Sequence, residues 1–147
     1  MAMENQEMAR RLKSLAQLDM DAVYAYEKAI GQIDAEAIRE QLSLFRDDHN
    51  RHVRELSDKI RELGETPPDT SRDLKGLLIE GLTVVQSLLG TSGALIAMQN
   101  NEILTNARYK EAGSLDFRPD IRAVIERNYE DEKRHLQYIK DALSNQI

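Results

Sequence analysis

All three histidines of this chain are set into apolar helical stripes, and no other feature constrains the fold as much. They are His49, His52 and His135. Ile38, Leu42, Phe45, His49, His52, Leu56, Ile60 and Leu63 recur at steps of three or four residues. That spacing draws a single stripe down a helix. His49 and His52 lie mid-stripe, a turn apart. A second stripe runs through Ile121, Val124/Ile125, Asn128, Glu132, His135/Leu136, Ile139 and Leu143. Here Glu132-x-x-His135 interrupts the apolar seam. Residues three apart share a helix face, so each pair points at one object.

An unpartnered carboxylate in such a seam costs several kcal/mol, roughly the scale for an uncompensated buried charge. A metal ion, or a protonated histidine on a facing helix, removes that cost. Helix bundles build metal sites in this way, from inward carboxylates and Glu-x-x-His pairs. Two alternatives remain open at this level: a metal-free Glu–His hydrogen-bond network, and a solvated end of the bundle.

The rest of the sequence fits a helical bundle. A chain of 147 residues can form one domain with a real core, and residues 1–147 read as one. Few glycines and prolines, 5% aromatics, no Trp and 31% charged residues are the profile of an all-helical domain. With no Cys, disulfides, thiolate metal sites and cysteine nucleophiles are excluded. No serine stands in a recognisable nucleophile turn, so a nucleophile–base enzyme is not expected. The net charge is −6 and basic residues are interleaved with acids, so nucleic acid is not an expected partner. The polar start, MAMENQEMARRLKSL, lacks an apolar signal core and suggests a cytoplasmic protein.

Taken in order, the spacing predicts a first helix over Glu4–Ile30, with Met8, Leu12, Leu15, Leu18, Ala22, Tyr26 and Ala29 on its stripe. Glu27 neighbours Met20, Val23 and Ile30, which makes it a candidate inward carboxylate; the alternative is a surface partner for Lys28. Gly31 ends this helix, and Asp34 can cap the next, over Ala35–Leu63, with Gly64 as its stop. Glu65–Ser71 is a Pro-containing linker. Lys75, Glu80 and two glycines interrupt the apolar run Leu74–Leu89, which is too short to span a membrane. It is expected to be a short crossover helix, or an apolar face for a partner. Gly90–Gly93 breaks the pattern, and a third helix follows over Ala94–Ala112. Its stripe of Leu95, Met98, Glu102, Thr105, Tyr109 and Ala112 makes Glu102 another candidate inward carboxylate. The last helix is expected over Asp120–Leu143, with Pro119 suited to a first turn. The two hairpins echo each other loosely, with offsets of 102 − 27 = 75 and 135 − 52 = 83 residues.

Glu on helix one, a His pair on helix two, Glu on helix three and Glu-x-x-His on helix four resemble the ferritin-like superfamily of four-helix bundles. A closer resemblance is to a bacterial ferritin-like family of unknown function. It is carried by the apolar stretch Lys75–Leu89, the Gly90-x-x-Gly93 break, NEILTNARYKEA (Asn101–Ala112) and the stretch from Pro119 to Glu126. The resemblance implies an up-down bundle with a long crossover, assembly into a homo-oligomer, and a carboxylate-bridged di-iron or di-manganese centre. Its ligands here would be Glu27, His52, Glu102, Glu132 and His135, with His49 in a bridging-carboxylate position and Asp48 as a partial substitute. That departure also suits zinc, or one metal instead of two. With iron, the resemblance implies oxidation of Fe(II) by oxygen or peroxide, with Tyr24, Tyr26 or Tyr109 bonding a ligand or passing an electron. Two other functions stay open: a non-redox zinc bundle, and a metal-free interaction or stress protein docking through Leu74–Leu89.

Overall fold

The computed structural model describes residues 3–69 and 90–145. Four helices account for nearly all of them: α1 (Asn5–Ile30), α2 (Glu36–Glu62), α3 (Gly90–Gly113) and α4 (Pro119–Ser144). No strand occurs among the described residues. The helices pack as an all-α four-helix bundle: α1 lies against α2 and α3, and α4 against α3 and α2. The predicted crossover helix and partner face at Leu74–Leu89 lie outside the described residues.

Every residue of the α2 stripe, from Ile38 to Leu63, is buried, as is every residue of the α3 stripe. The interior has three layers along the bundle axis. One end is an apolar cluster of Met8, Leu12, Leu56, Ile60, Phe117, Ile121 and neighbours. The other gathers Ala29, Ile33, Leu42, Phe45, Leu95, Met98, Ile139 and others. Between them lies a buried polar layer containing Asp19, His49, His52, Glu102, Glu132 and His135, each with no solvent exposure.

The helix ends differ from expectation in two places. Gly93 does not break the helix but is buried within α3, whereas Gly90, its first residue, has a left-handed φ of 80° that a continuing helix excludes. Asp34 does not cap α2, whose N-terminus has no side-chain cap; its backbone N–H instead donates to Thr91 Oγ1 at 3.3 Å. Gly64 is the stop that the sequence suggested. It adopts a left-handed φ of 84°, and the amides of Gly64 and Glu65 donate to the carbonyls of Arg61 and Ile60. This closes the helix with the paired bonds of a Schellman turn.

Candidate metal centre

Each helix sends side chains into the polar layer. α1 supplies Asp19 and Tyr26, α2 supplies His49 and His52, α3 supplies Glu102 and Tyr109, and α4 supplies Glu132 and His135. Two overlapping sets bring four ligand atoms within 4.8 Å of one another: Asp19, His49, His52 and Glu132, and His49, Glu102, Glu132 and His135. His49 and Glu132 belong to both.

Of the six residues picked out by the sequence, five meet here. Glu27 does not. It is exposed on α1, and the inward carboxylate of that helix is Asp19, two turns earlier. Asp19 continues the steps of four and three that run 8, 12, 15, 19, 22, 26, 29, all of them buried. Leu18, the apolar neighbour of Asp19, is only half-buried. Asp48 sits at the rim rather than among the inner residues, where it accepts a hydrogen bond from His135.

The centre is built on an internal pseudo-symmetry. Residues 83 apart take equivalent places: Asp19 and Glu102 (102 − 19 = 83), Tyr26 and Tyr109, Asp48 and Asp131, His49 and Glu132, Arg51 and Arg134, and His52 and His135. The contacts cross reciprocally between the halves. Tyr109 Oη donates to Asp19 at 2.5 Å, and Tyr26 Oη donates to Glu102. His52 Nε2 lies 2.9 Å from Asp131, and His135 Nε2 lies 2.8 Å from Asp48. Arg51 pairs with Asp131, and Arg134 with Asp48 at 3.0 Å. Thus DHNRH (48–52) and DEKRH (131–135) are two copies of one device, in which the rim Asp of one helix anchors the inner His of the other. The anchored ring then turns Nδ1 inward, as an outer carboxylate does for a metal-binding histidine.

Three pairs break the symmetry, one of them Thr105 against Ala22. His49 stands where its counterpart is Glu132, and Phe45 where its counterpart is Asn128. His49 lies at the middle, with Nδ1 2.6 Å from Asp19 and Nε2 3.1 Å from Glu102 and 3.4 Å from Glu132. Phe45 stacks on the His135 ring at 4.2 Å between centroids.

The electrostatics follow from burial and proximity. Burial pulls the imidazoles down, but the surrounding carboxylates outweigh it. His49 is raised well above the ordinary histidine value, His52 is raised, and His135 reaches about 10. Burial works against the charged forms of Asp19 and Glu102 too, yet the facing histidines hold both below the usual carboxylate range. Glu132 goes the other way: burial and the neighbouring Glu102 charge push it up to about 8. Burial and the adjacent carboxylates raise Tyr26 and Tyr109 well above the ordinary phenol value, so both remain hydrogen-bond donors. Tyr24, the other tyrosine suggested by the sequence for this role, is half-buried with Lys28 over its ring.

Two atoms of the layer are left over, Asn128 Oδ1 and Glu132 Oε1. Glu132 Oε1 is buried and accepts no hydrogen bond; His52 Nδ1 is 3.8 Å away. Buried polar atoms are nearly always satisfied, so an orphan inside a cluster of ligand-type side chains has the character of an open coordination position.

Residues 7–114 match the family described as Domain of unknown function (DUF2383). The chain belongs to the DUF2383 family. The DUF2383 match takes in α1, α2 and α3 and ends before α4, so it includes Asp19, His49, His52 and Glu102 but not Glu132 and His135. No curated protein matches the chain.

Two features of this DUF2383 chain were missed from sequence: Asp19 and the rim pair Asp48/Asp131 acting as anchors. The 83-residue offset of the histidines, applied to Glu102, points straight at position 19.

Proposed function

We propose that this DUF2383 chain is a ferritin-like metal-binding bundle protein, with a transition metal of the iron, manganese or zinc class in its buried polar layer. The observation that carries this reading is the unpartnered Oε1 of Glu132, a residue that belongs to both overlapping four-ligand sets. The donor set fits such ions, because imidazole and carboxylate together suit borderline divalent metals and no soft thiolate is present. Iron, when bound, would supply one-electron chemistry toward oxygen or peroxide, including oxidation of Fe(II).

The chain's own groups would prepare that site. Asp48 and Asp131 fix the ring orientations of His135 and His52. Tyr26 and Tyr109 hold Glu102 and Asp19 as hydrogen-bond donors. Thr105 Oγ1 donates to the second Glu102 oxygen at 3.0 Å. The apolar clusters above and below exclude water. The test is metal content of the Glu132→Ala and His135→Ala variants beside the unaltered protein. Loss of metal from both is expected; unchanged content in both refutes the reading.

A second reading has its own supporting observation. Every ring nitrogen of His49, His52 and His135 has a carboxylate partner, so the imidazoles are also fully paired without metal. In a metal-free interaction protein the layer would fix helix register. Chelator would then leave melting temperature and oligomeric state unchanged.

A further inference from the structure

We propose that the centre holds one metal ion rather than two, in the subsite formed by Glu102, Glu132, His135 and Nε2 of His49. This rests on the metal reading above and deepens it.

The symmetry is broken at His49. Its counterpart Glu132 offers two oxygens, which can bind two ions side by side. An imidazole cannot do this. A neutral ring has one lone pair for a metal, and its other nitrogen carries a proton. Yet His49 belongs to both four-ligand sets. It can therefore complete one set, while the other drops to three protein ligands.

Distances choose between the two sets. Nδ1 of His49 makes the shorter contact, 2.6 Å to Asp19, which suits an N–H donating to that carboxylate. Asp19 also accepts from Tyr109 and faces Nδ1 of His52 at 3.0 Å, as Glu102 accepts from Tyr26 and Thr105, so the choice rests on the shorter His49 contact. Nε2 of His49 is left facing Glu102 and Glu132 at 3.1 and 3.4 Å. Asp19 then stands to His49 as Asp48 stands to His135: an outer carboxylate orienting a ligand ring. Phe45 closes this subsite by stacking on His135, whereas the opposite position holds the polar Asn128.

Charge agrees. Two divalent ions bring four positive charges, and Asp19, Glu102 and Glu132 supply three negative ones. The outer carboxylates Asp48 and Asp131 are already paired with Arg134 and Arg51. A second ion would leave a buried charge without a counterpart, whereas glutamate at position 49 would restore four negative charges.

The experiment is an anaerobic titration of chelator-treated full-length protein with Co(II). It is followed by visible absorption, and by elemental analysis after desalting. One Co(II) per chain is expected for the unaltered protein and two for His49→Glu. Two in the unaltered protein overturn the inference and leave the metal reading standing; none overturns both. One or none in a His49→Glu variant that keeps its helical circular dichroism also overturns the inference. Should that variant not fold, Glu102→Gln and Asp19→Asn decide. Glu102→Gln is expected to lose the ion. Asp19→Asn is expected to keep one, with affinity lowered ~10–100-fold, the usual effect of changing an outer partner. The reverse pattern overturns the subsite.

Discussion

Replacing Asp19 by Ala should unfold this bundle far more readily than replacing Glu27 by Ala, although both are carboxylates of α1. Asp19 has no solvent exposure and faces three groups: His49 Nδ1 at 2.6 Å, His52 Nδ1 at 3.0 Å and Tyr109 Oη at 2.5 Å. Its removal strands all three in a buried layer. A buried donor left without a partner costs about 1–3 kcal/mol. Each histidine can relieve part of its cost by shedding a proton. The expected loss is therefore about 3–5 kcal/mol, the range for removing one partner of a buried ion pair. That is a large share of the ~5–15 kcal/mol that holds a typical domain together. Glu27 is exposed, and its replacement should change stability by no more than about 1 kcal/mol, the upper end for an exposed polar pair. The assay is urea unfolding at pH 7 with excess chelator, followed by circular dichroism at 222 nm. A loss below about 1 kcal/mol for Asp19→Ala would refute the placement of its carboxylate. So would a larger loss for Glu27→Ala than for Asp19→Ala.

Other outcomes follow from the same structure. Without metal, stability should fall between pH 7 and pH 10. His49, His52 and His135 are raised, so their contribution is full below the unfolded histidine value near 6.5 and is lost as pH rises through the His135 value of about 10. Glu132, raised to about 8, has the same sign, because its neutral form suits the fold and its ionised form does not. Melting temperatures measured across pH 5–10 check this, and a flat profile contradicts it. Asp21 is buried and pushed up to about 6 by desolvation, with Gln17 Nε2 donating to it at 2.9 Å. Asp21→Asn keeps that acceptor and removes the charge, so it should stabilise by about 1–2 kcal/mol at pH 8, by less at pH 5 and not at all at pH 3, below the ordinary Asp value, read by urea unfolding at all three. Gly64→Ala should cost about 1 kcal/mol. Its φ is 84°, and an added Cβ would meet nothing within 4 Å, so the loss is backbone strain alone; no change in melting temperature would contradict that.

Most of the bundle is legible in the sequence because apolar period and helix punctuation are local signals. The α2 and α3 stripes, the Gly64 stop and the inward turn of Glu102, Glu132, His49, His52 and His135 all follow from spacing. The errors share one cause. A stripe drawn through apolar residues alone passes through Leu18 rather than Asp19, although the steps of four and three land on Asp19. Losing Asp19 from the stripe then left Glu27 as the α1 candidate, and the offset of 75 residues that it gave disagreed with the histidines' 83. The rim anchors Asp48 and Asp131 are polar residues beside inner ones, and local pattern cannot pair them with histidines on the opposite helix. Gly93 reads as part of a break because glycine weakens an isolated helix. Within α3, Gly93 is buried, and tertiary packing outweighs its low propensity.

The most direct test of the central claim is metal content per chain, measured on protein purified without chelator and again after chelation and anaerobic reloading with Fe(II). A bound transition metal near one per chain is expected after reloading, lost on Glu132→Ala. Reloaded protein that keeps its helical circular dichroism and binds no metal would contradict it, and the polar layer would then be a metal-free ion-pair network.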